Sequence, residues 1–353
     1  QRGSGSDRIG HGEKSYKTNI GLEMMLWGKL NLTLDYYWER RKDILIQRSS
    51  LPSMAGFDAS IYANMGEMEN KGVDANLEYQ TRIGNKVGLL LFGNLTYSKN
   101  KIVFRDEPAM QYAYQKSEGT RYGEFYGYIA EGYFQSEEEI KKSPRQMREL
   151  APGDIKYKDL NDDGVIDAND QCYLGKSWFP SWSYGMGFNI NYHNFDLALF
   201  FQGVSDVSIM ANGGSIDTGN GDWGASGVGI VPFTGMGLNP SNVITKALDR
   251  WTADNPRADA WYPRMTANAT TNDNNYVNST HWLKDGSYLR LKQASLGYTL
   301  ENKKLMDKGI EYLYFYLSGQ NLLTFSKFKL WDPELGSNGA KYPLSRMVTL
   351  GMR

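Results

Sequence analysis

The stretch Asp159-Leu-Asn-Asp-Asp-Gly-Val-Ile-Asp-Ala-Asn-Asp170 carries oxygen donors at the spacing of a twelve-residue calcium loop. Asp159, Asn161 and Asp163 stand at positions one, three and five, the backbone carbonyl of Val165 at seven and Asp170 at twelve. Calcium takes six to eight oxygens at about 2.3–2.6 Å, and this pattern supplies them from carboxylates, one amide and one carbonyl. Gly164 permits the sharp turn at position six and Ile166 gives the loop an apolar anchor, while Asp167 is close enough in sequence to act through water. Position twelve is Asp where a calcium-sensing loop has a bidentate Glu, which predicts a structural site. The flanks "IKYKDL" and "QCYLG" read as extended chain. There is therefore no helix pair for the metal to open, and the expected role of Ca2+ is to pin a loop, with a metal-free Asx-rich turn as the alternative.

Other chemistry is sparse. His11, His193 and His281 are far apart and Cys172 is the sole cysteine, so no nucleophile–base arrangement or internal disulfide is legible. We expect no catalysis. The run "NGGSIDTGNGDWGASGVGIVPFTGMG" is Gly-rich but lacks the Gly-Lys-Ser/Thr of a phosphate loop, and the Asn-X-Thr triplets at Asn268 and Asn278 read as plain loop residues. With 39 Lys+Arg against 40 Asp+Glu there is no basic excess for nucleic acid. No run of about 18 apolar residues offers a transmembrane helix, and no signal peptide is evident, which leaves a soluble protein or a β-barrel.

The elements that carry these residues are strands. In "SYGMGFNINYHNFDLALFFQG", Tyr184, Met186, Phe188, Ile190 and Tyr192 share one face against Ser183, Gly185, Gly187, Asn189 and Asn191. After the turn His193-Asn194, Phe195, Leu197, Leu199 and Phe201 resume the apolar face opposite Asp196, Ala198 and Gln202. The same strict alternation recurs elsewhere, and it predicts strands near 16–27, 29–47, 66–81, 86–103, 182–192, 195–205, 287–300, 311–326 and 345–353. Parity slips between Leu291 and Ala294, which predicts a bulge. Glu67, Glu69 and Asp74 read as polar-face residues. Short connections (27–29, 82–86, 193–194, 301–310) alternate with long ones (48–65, 104–181, 206–286, 327–344). Outer-membrane barrels sort their loops this way, with short periplasmic turns, long extracellular loops and an apolar face toward lipid. Since bacterial barrels close with an even number of strands, nine of them predict one portion of a larger wall.

Five segments in order resemble a known family: "MGEMENKGVDANLEY" (65–79), "PGDIKYKDLNDDGVIDANDQ" (152–171), "DRWTADNPRADAWYPRM" (249–265), "DGSYLRLKQASLGYTL" (285–300) and "YFYLSGQNLLTFSKFKLWDPELG" (314–336). They are similar to the C-terminal barrel half of SusC-like TonB-dependent outer-membrane transporters. The resemblance implies an all-β, antiparallel transmembrane barrel of 22 strands in the Gram-negative outer membrane, with a plug and TonB box outside this chain. It further implies import of oligosaccharides or peptides, a SusD-like surface lipoprotein as lid, and energy from TonB. The family's terminal aromatic is not present at Met352-Arg353. A passive porin-like or adhesin-like barrel, and a secreted calcium-dependent glycan-binding β-protein, stay open as alternatives.

On this reading residues 1–353 are barrel, 104–181 is an extracellular loop holding the calcium motif, and 206–286 is a second long extracellular loop. Seven of the nine Trp (Trp178, Trp182, Trp223, Trp251, Trp261, Trp282 and Trp331) lie in or beside the long loops, as loop anchors, outer-girdle residues or sugar-stacking platforms. Aromatic residues are enriched at interfaces. Trp251, Trp261 and Trp331, within 240–262 and Trp331-Asp332-Pro333, are therefore expected to face the lipoprotein lid. Substrate-contacting residues are not legible.

Overall fold

The computed structural model describes residues 12–50, 61–84, 86–212, 245–265, 273–337, 339 and 342–353. The long strands β1 (Lys14–Leu26), β2 (Leu30–Gln47), β3 (Tyr62–Ile83) and β4 (Val87–Phe104) come first. Four short ones follow within a loop: β5 (Glu124–Gly127), β6 (Ala130–Tyr133), β7 (Ile155–Tyr157) and β8 (Cys172–Ser177). β9 (Trp182–Tyr192) and β10 (Phe195–Ser205) are long, β11 (Ser208–Met210) and β12 (Leu283–Asp285) short, and β13 (Tyr288–Leu300), β14 (Leu313–Ser326) and β15 (Met347–Met352) complete the order. The nine strands read from alternation form one antiparallel sheet, in the order β1-β2-β3-β4-β9-β10-β13-β14-β15. Successive long strands are neighbours in space: turns of two or three residues join β1–β2, β3–β4 and β9–β10, residues 301–312 join β13–β14, and the long connections join the rest.

The register turns alternation into two faces. One row crosses all nine strands as Leu26, Leu30, Tyr79, Leu91, Phe188, Leu199, Ala294, Gly319 and Val348. The row nearer the short turns reads Leu89, Ile190, Leu197, Leu296, Leu317 and Leu350. Beyond it lie Val87, Tyr192, Phe195, Tyr298, Phe315 and Met352, largely aromatic. Toward the long loops the band ends at Tyr36, Val73, Tyr97 and Trp182, with the Tyr97 and Trp182 rings 4.5 Å apart. From Val87 to Tyr97 is ten residue steps at about 3.4 Å; on strands tilted by about 40° that makes a band roughly 25 Å tall between two aromatic girdles. Many of its residues are exposed, Leu22, Leu77, Leu91, Met186, Leu296 and Leu317 among them, and others such as Leu197 and Leu199 are half-buried.

The opposite face is polar: Thr33, Asn76, Asn94, Gly185, Gln202, Arg290 and Thr324 form one row. The predicted bulge falls at Lys292, where register shifts against both β10 and β14 and restores the parity of Ala294 with Leu291. The polar-face reading of Glu67 and Glu69 is corrected. Glu67 pairs with Arg40 at 2.7 Å and Glu69 with Lys71 at 2.8 Å, and Arg40 and Lys71 share parity with Tyr36 and Val73 on the apolar side. Asp74 does lie on the polar face, accepting from Thr96 Oγ1 at 2.7 Å.

Candidate functional site

The packed core of this molecule is not in the sheet. It lies among the long connections, where Phe125, Tyr128, Tyr133, Ile155, Tyr157, Ile166, Ile209, Trp251, Tyr262, Trp282 and Phe328 form one buried cluster. Residues from 105–181, 206–287 and 327–346 contribute, so the three loops make a single cap at one end of the sheet. Of the flanks "IKYKDL" and "QCYLG" read as extended, Ile155–Tyr157 and Cys172–Gly175 are strand, β7 pairing with β6 and β8 with β5, while 158–160 and Gln171 lie outside the strands. In the second loop Thr245–Leu248 form a 3-10 turn; residues 240–244, the Gly-rich run from 213 with Trp223, Asn268 and His11 lie outside the described residues.

Buried amides join the first loop to the second. Gln146 Nε2 donates to Ile155 O at 2.9 Å and to Asn274 Oδ1 at 2.8 Å, while its Oε1 accepts from Tyr157 N at 2.7 Å. Asn275 Oδ1 accepts from Ile155 N at 2.9 Å, and its Nδ2 donates to Asp154 at 2.7 Å. Trp282 Nε1 donates to Asn275 O at 2.7 Å. Leaving one such group unpartnered inside a core costs about 1–3 kcal/mol, so these loops are mutually specified. Sequence reading missed Gln146, Asn274 and Asn275; the one available signal was an Asn pair beside aromatic Tyr276 in an otherwise featureless loop.

Two contacts hold the cap to the polar side of the sheet. Tyr122 N donates to Asn100 Oδ1 at 2.6 Å, and Asn100 shares parity with Ser98 and Thr96 on that face. Arg290, only 1% exposed, grips Asp332 with Nη2 at 2.6 and 2.7 Å, donates to Glu334 from Nη1 at 2.5 Å and to Thr324 Oγ1 from Nε at 3.0 Å. Such bidentate charge-assisted pairs fix geometry as well as energy. The first and third loops therefore lean inward over the polar face. Below them Asp74, Asn76, Asn94, Thr96, Ser183, Phe200 and Gln202 line a recess of about 560 Å³. Glycine keeps the inner face close-packed here: a Cβ on Gly185 would press on the Phe200 ring at 3.1 Å, and one on neighbouring Gly187 would meet the Leu199 carbonyl oxygen at 2.5 Å and the Phe92 ring at 2.6 Å.

The partner-facing expectation for the tryptophans is corrected in part. Trp251 is 6% exposed and lies over Gly153, where an added Cβ would meet its ring at 2.2 Å. Trp261 and Trp331 are half-buried against the same core, with Lys284 Nζ 5.1 Å from the Trp261 ring centroid and Trp331 Nε1 donating to Gly336 O at 2.8 Å. Large aromatic area stabilises a loop core as readily as an interface, and here it is spent on the core.

The calcium-type loop is closed by its own donors. Asp159 accepts from Asp162 N at 2.7 Å and Gly164 N at 2.8 Å, Asp163 from Val165 N at 2.8 Å, and buried Asp170 from Leu160 N at 2.8 Å and Asp167 N at 2.9 Å. Asp162 and Gly164 take left-handed backbone, φ +59° and +79°. Gly164 O accepts from Arg145 N at 3.0 Å and Ile166 is 1% exposed, which anchors the loop in the cap. Among the described residues no three His, Cys, Asp or Glu side chains converge as a metal centre; the remaining candidate donors here are Asn161 and a carbonyl.

His281 packs against Trp282 with ring centroids 4.7 Å apart, and its Nε2 lies 3.2 Å from Trp261 O. Burial, with the nearby Lys284 ammonium, pushes its pKa down to about 3, while burial lowers Lys284 to about 8. Cys172 is buried and burial pushes its thiol up. His193 forms its hairpin turn at φ +51°.

Residues 11–322 match the family model "TonB dependent receptor-like, beta-barrel". The chain belongs to that family. TonB-dependent receptor P3 of Formosa agariphila is 28% identical over 369 residues, covering 96% of this chain and 34% of the relative. TonB-dependent receptor SusC of Bacteroides thetaiotaomicron is 23% identical over 354 residues, covering 96% and 32%. The structure of the RagAB peptide transporter superposes with a TM-score of 0.69 at 22% identity, covering 96% of this chain and 35% of that one. The chain spans about a third of the length of the curated relatives it matches. It is a SusC-like segment of an outer-membrane β-barrel family, and its nine strands are barrel wall.

Proposed function

We propose that this chain forms wall and extracellular rim of an outer-membrane importer that takes up oligosaccharides or peptides, driven through TonB and assembled with a SusD-like lipoprotein. The observation that carries the reading is the two-faced sheet: an exposed apolar band roughly 25 Å tall between aromatic girdles, backed by a polar inner face. A water-filled path for a polar solute needs that inner face, and lipid needs the outer one. The long connections at one end then lie outside the cell, where they fold into a cap that leans over the path. The named likeness to SusC, and to RagAB as a peptide transporter, supports import over a passive pore. The lid would rest on exposed cap surface rather than on Trp251. In the intact transporter, uptake abolished by removing TonB and a surface lipoprotein co-purifying in detergent are the expected results; uptake unchanged without TonB contradicts active import.

The donor set of Asp159, Asn161, Asp163, the Val165 carbonyl and Asp170 is all oxygen, in keeping with calcium as a structural ion in this loop. In that role the ion would offset the like charges of three carboxylates held in one short turn. Asp159→Ala with Asp163→Ala should abolish calcium-dependent protease protection of 105–181 without affecting barrel assembly. Identical digestion of wild type with and without the ion would refute a calcium role.

A further inference from the structure

Above the outer aromatic girdle the outward face changes character. Tyr36, Tyr97 and Trp182 mark the upper edge of the apolar band, and the next outward row is Thr18, Trp38, Lys71 and Lys99. The row after that is Tyr16, Arg40, Glu69 and Lys101. On β3 and β4 the inner positions at the same height are neutral, Asn70, Ser98 and Asn100, while on β1 and β2 the inward cations Lys17 and Arg41 flank Glu39 at 3.7 Å each. On β3 and β4 at this height, cationic charge thus lies on the side that faces lipid.

These cations outnumber their partners. Arg40 and Lys42 share Glu67, at 2.7 and 3.8 Å, and Lys71 has Glu69 at 2.8 Å. Lys99 and Lys101 are exposed and, among the described residues, are in no ion pair. Lys99 stands directly opposite Lys71 across the β3–β4 pair, an arrangement of like charges that destabilises a sheet unless an anion lies between them. The height is also informative. Two and four residues beyond Tyr97, on strands tilted by about 40°, place Lys99 and Lys101 roughly 5 and 10 Å above the girdle. The polar interface of a bilayer is about 5–8 Å deep on each side, and lysine stems extend further still. Lys71 and Lys99 therefore sit at headgroup depth, and Lys101, just above it, can reach it along its flexible stem.

We infer that Lys71, Lys99 and Lys101 form a binding site for a phosphate-bearing lipid headgroup of the outer leaflet. The inference rests on the membrane reading of the apolar band. The three ammoniums offer strongly hydrated, rotatable donors, which suit phosphate oxygens approached from several directions. Trp38, in the same row as Lys71, provides the amphipathic ring that belongs at that depth.

The test uses the full-length transporter carrying this segment, purified in detergent and probed by native mass spectrometry with lipid A bearing both phosphates, with dephosphorylated lipid A, and with inorganic phosphate as competitor. Wild type should retain the phosphorylated lipid, and Lys99→Gln with Lys101→Gln should weaken retention roughly 30-fold. Dephosphorylated lipid should bind wild type and variant alike. A Lys17→Gln control, on the inner parity, should bind as wild type does, and heat-modifiable migration on gels should show every variant folded. Equal retention of both lipids by wild type, or equal retention by wild type and the double variant, would overturn the site. Displacement by low millimolar inorganic phosphate would also overturn it, because the site would then hold free phosphate. Failure of wild type to insert into bilayers at all would instead defeat the membrane reading.

Discussion

The wall and the cap use the same apolar residue types in opposite places. In the wall Leu296 is 48% exposed and Leu317 and Met186 47% each, whereas in the cap Trp282, Tyr262 and Phe134 are wholly buried. Backbone satisfaction differs too. Wall strands meet their hydrogen bonds from neighbouring strands in one continuous ladder, while the cap relies on buried side-chain amides such as Gln146, Asn274 and Asn275. The difference reflects two solvents. Against hydrocarbon, an outward Leu costs nothing and every polar backbone group must be closed within the sheet. Against water, aromatic residues must find an interior, and irregular loops can make one only by packing on each other.

The comparison breaks first, and hardest, at Trp282. Trp282→Ala removes the ring that packs on Trp261, Tyr262, Tyr276 and His281, and a buried Trp→Ala costs about 3–5 kcal/mol. The expected outcome is protease cleavage within 105–181 and 273–287 with the barrel still resistant to heat in detergent. Unfolding of barrel and cap together would show that they are one cooperative unit.

Leu199→Arg tests the wall. It stands mid-row between Phe188 and Ala294, and a cation at the bilayer midplane costs about 2–4 kcal/mol. Gln202→Arg, on the inner face, should cost much less. Equal losses in a bilayer folding titration would erase the two-faced reading.

Acid should separate the regions more gently. His281 has its pKa pushed down to about 3 in the folded cap against about 6.5 when unfolded, so the unfolded state binds the proton first. Cap stability is complete above the unfolded value and falls as pH drops from about 6.5 toward 3, by at most about 1.4 kcal/mol per pH unit. Hydrogen exchange of 279–285 at pH 7 and pH 5 should show faster opening at pH 5, and His281→Phe should flatten that dependence.

Much of the wall was legible because a strand writes its two environments with period two. Lys292 could be located from one parity slip, and nine strands followed from alternation and loop length. Glu67 and Glu69 were misplaced because parity beyond the girdle no longer separates apolar from polar; both sides there meet water or headgroups. The cap was largely illegible. Gln146 and Asn274 meet across 128 positions with no local period to announce it. A Trp in a loop reads the same whether it packs inward, as Trp251 does, or meets a partner. The Asp-rich loop is the exception, since an oxygen set at fixed spacing within twelve residues is a purely local pattern.

The most direct measurement is spin-label accessibility in proteoliposomes of the full-length protein carrying this segment, with labels at Leu91 and Leu317 on the outward face and at Asn94 and Ser318 on the inner one. The account predicts high oxygen and low nickel-chelate collision rates at 91 and 317, the signature of hydrocarbon, with the reverse at 94 and 318. Nickel-chelate access at 91 and 317 equal to that at 94 and 318 would contradict it.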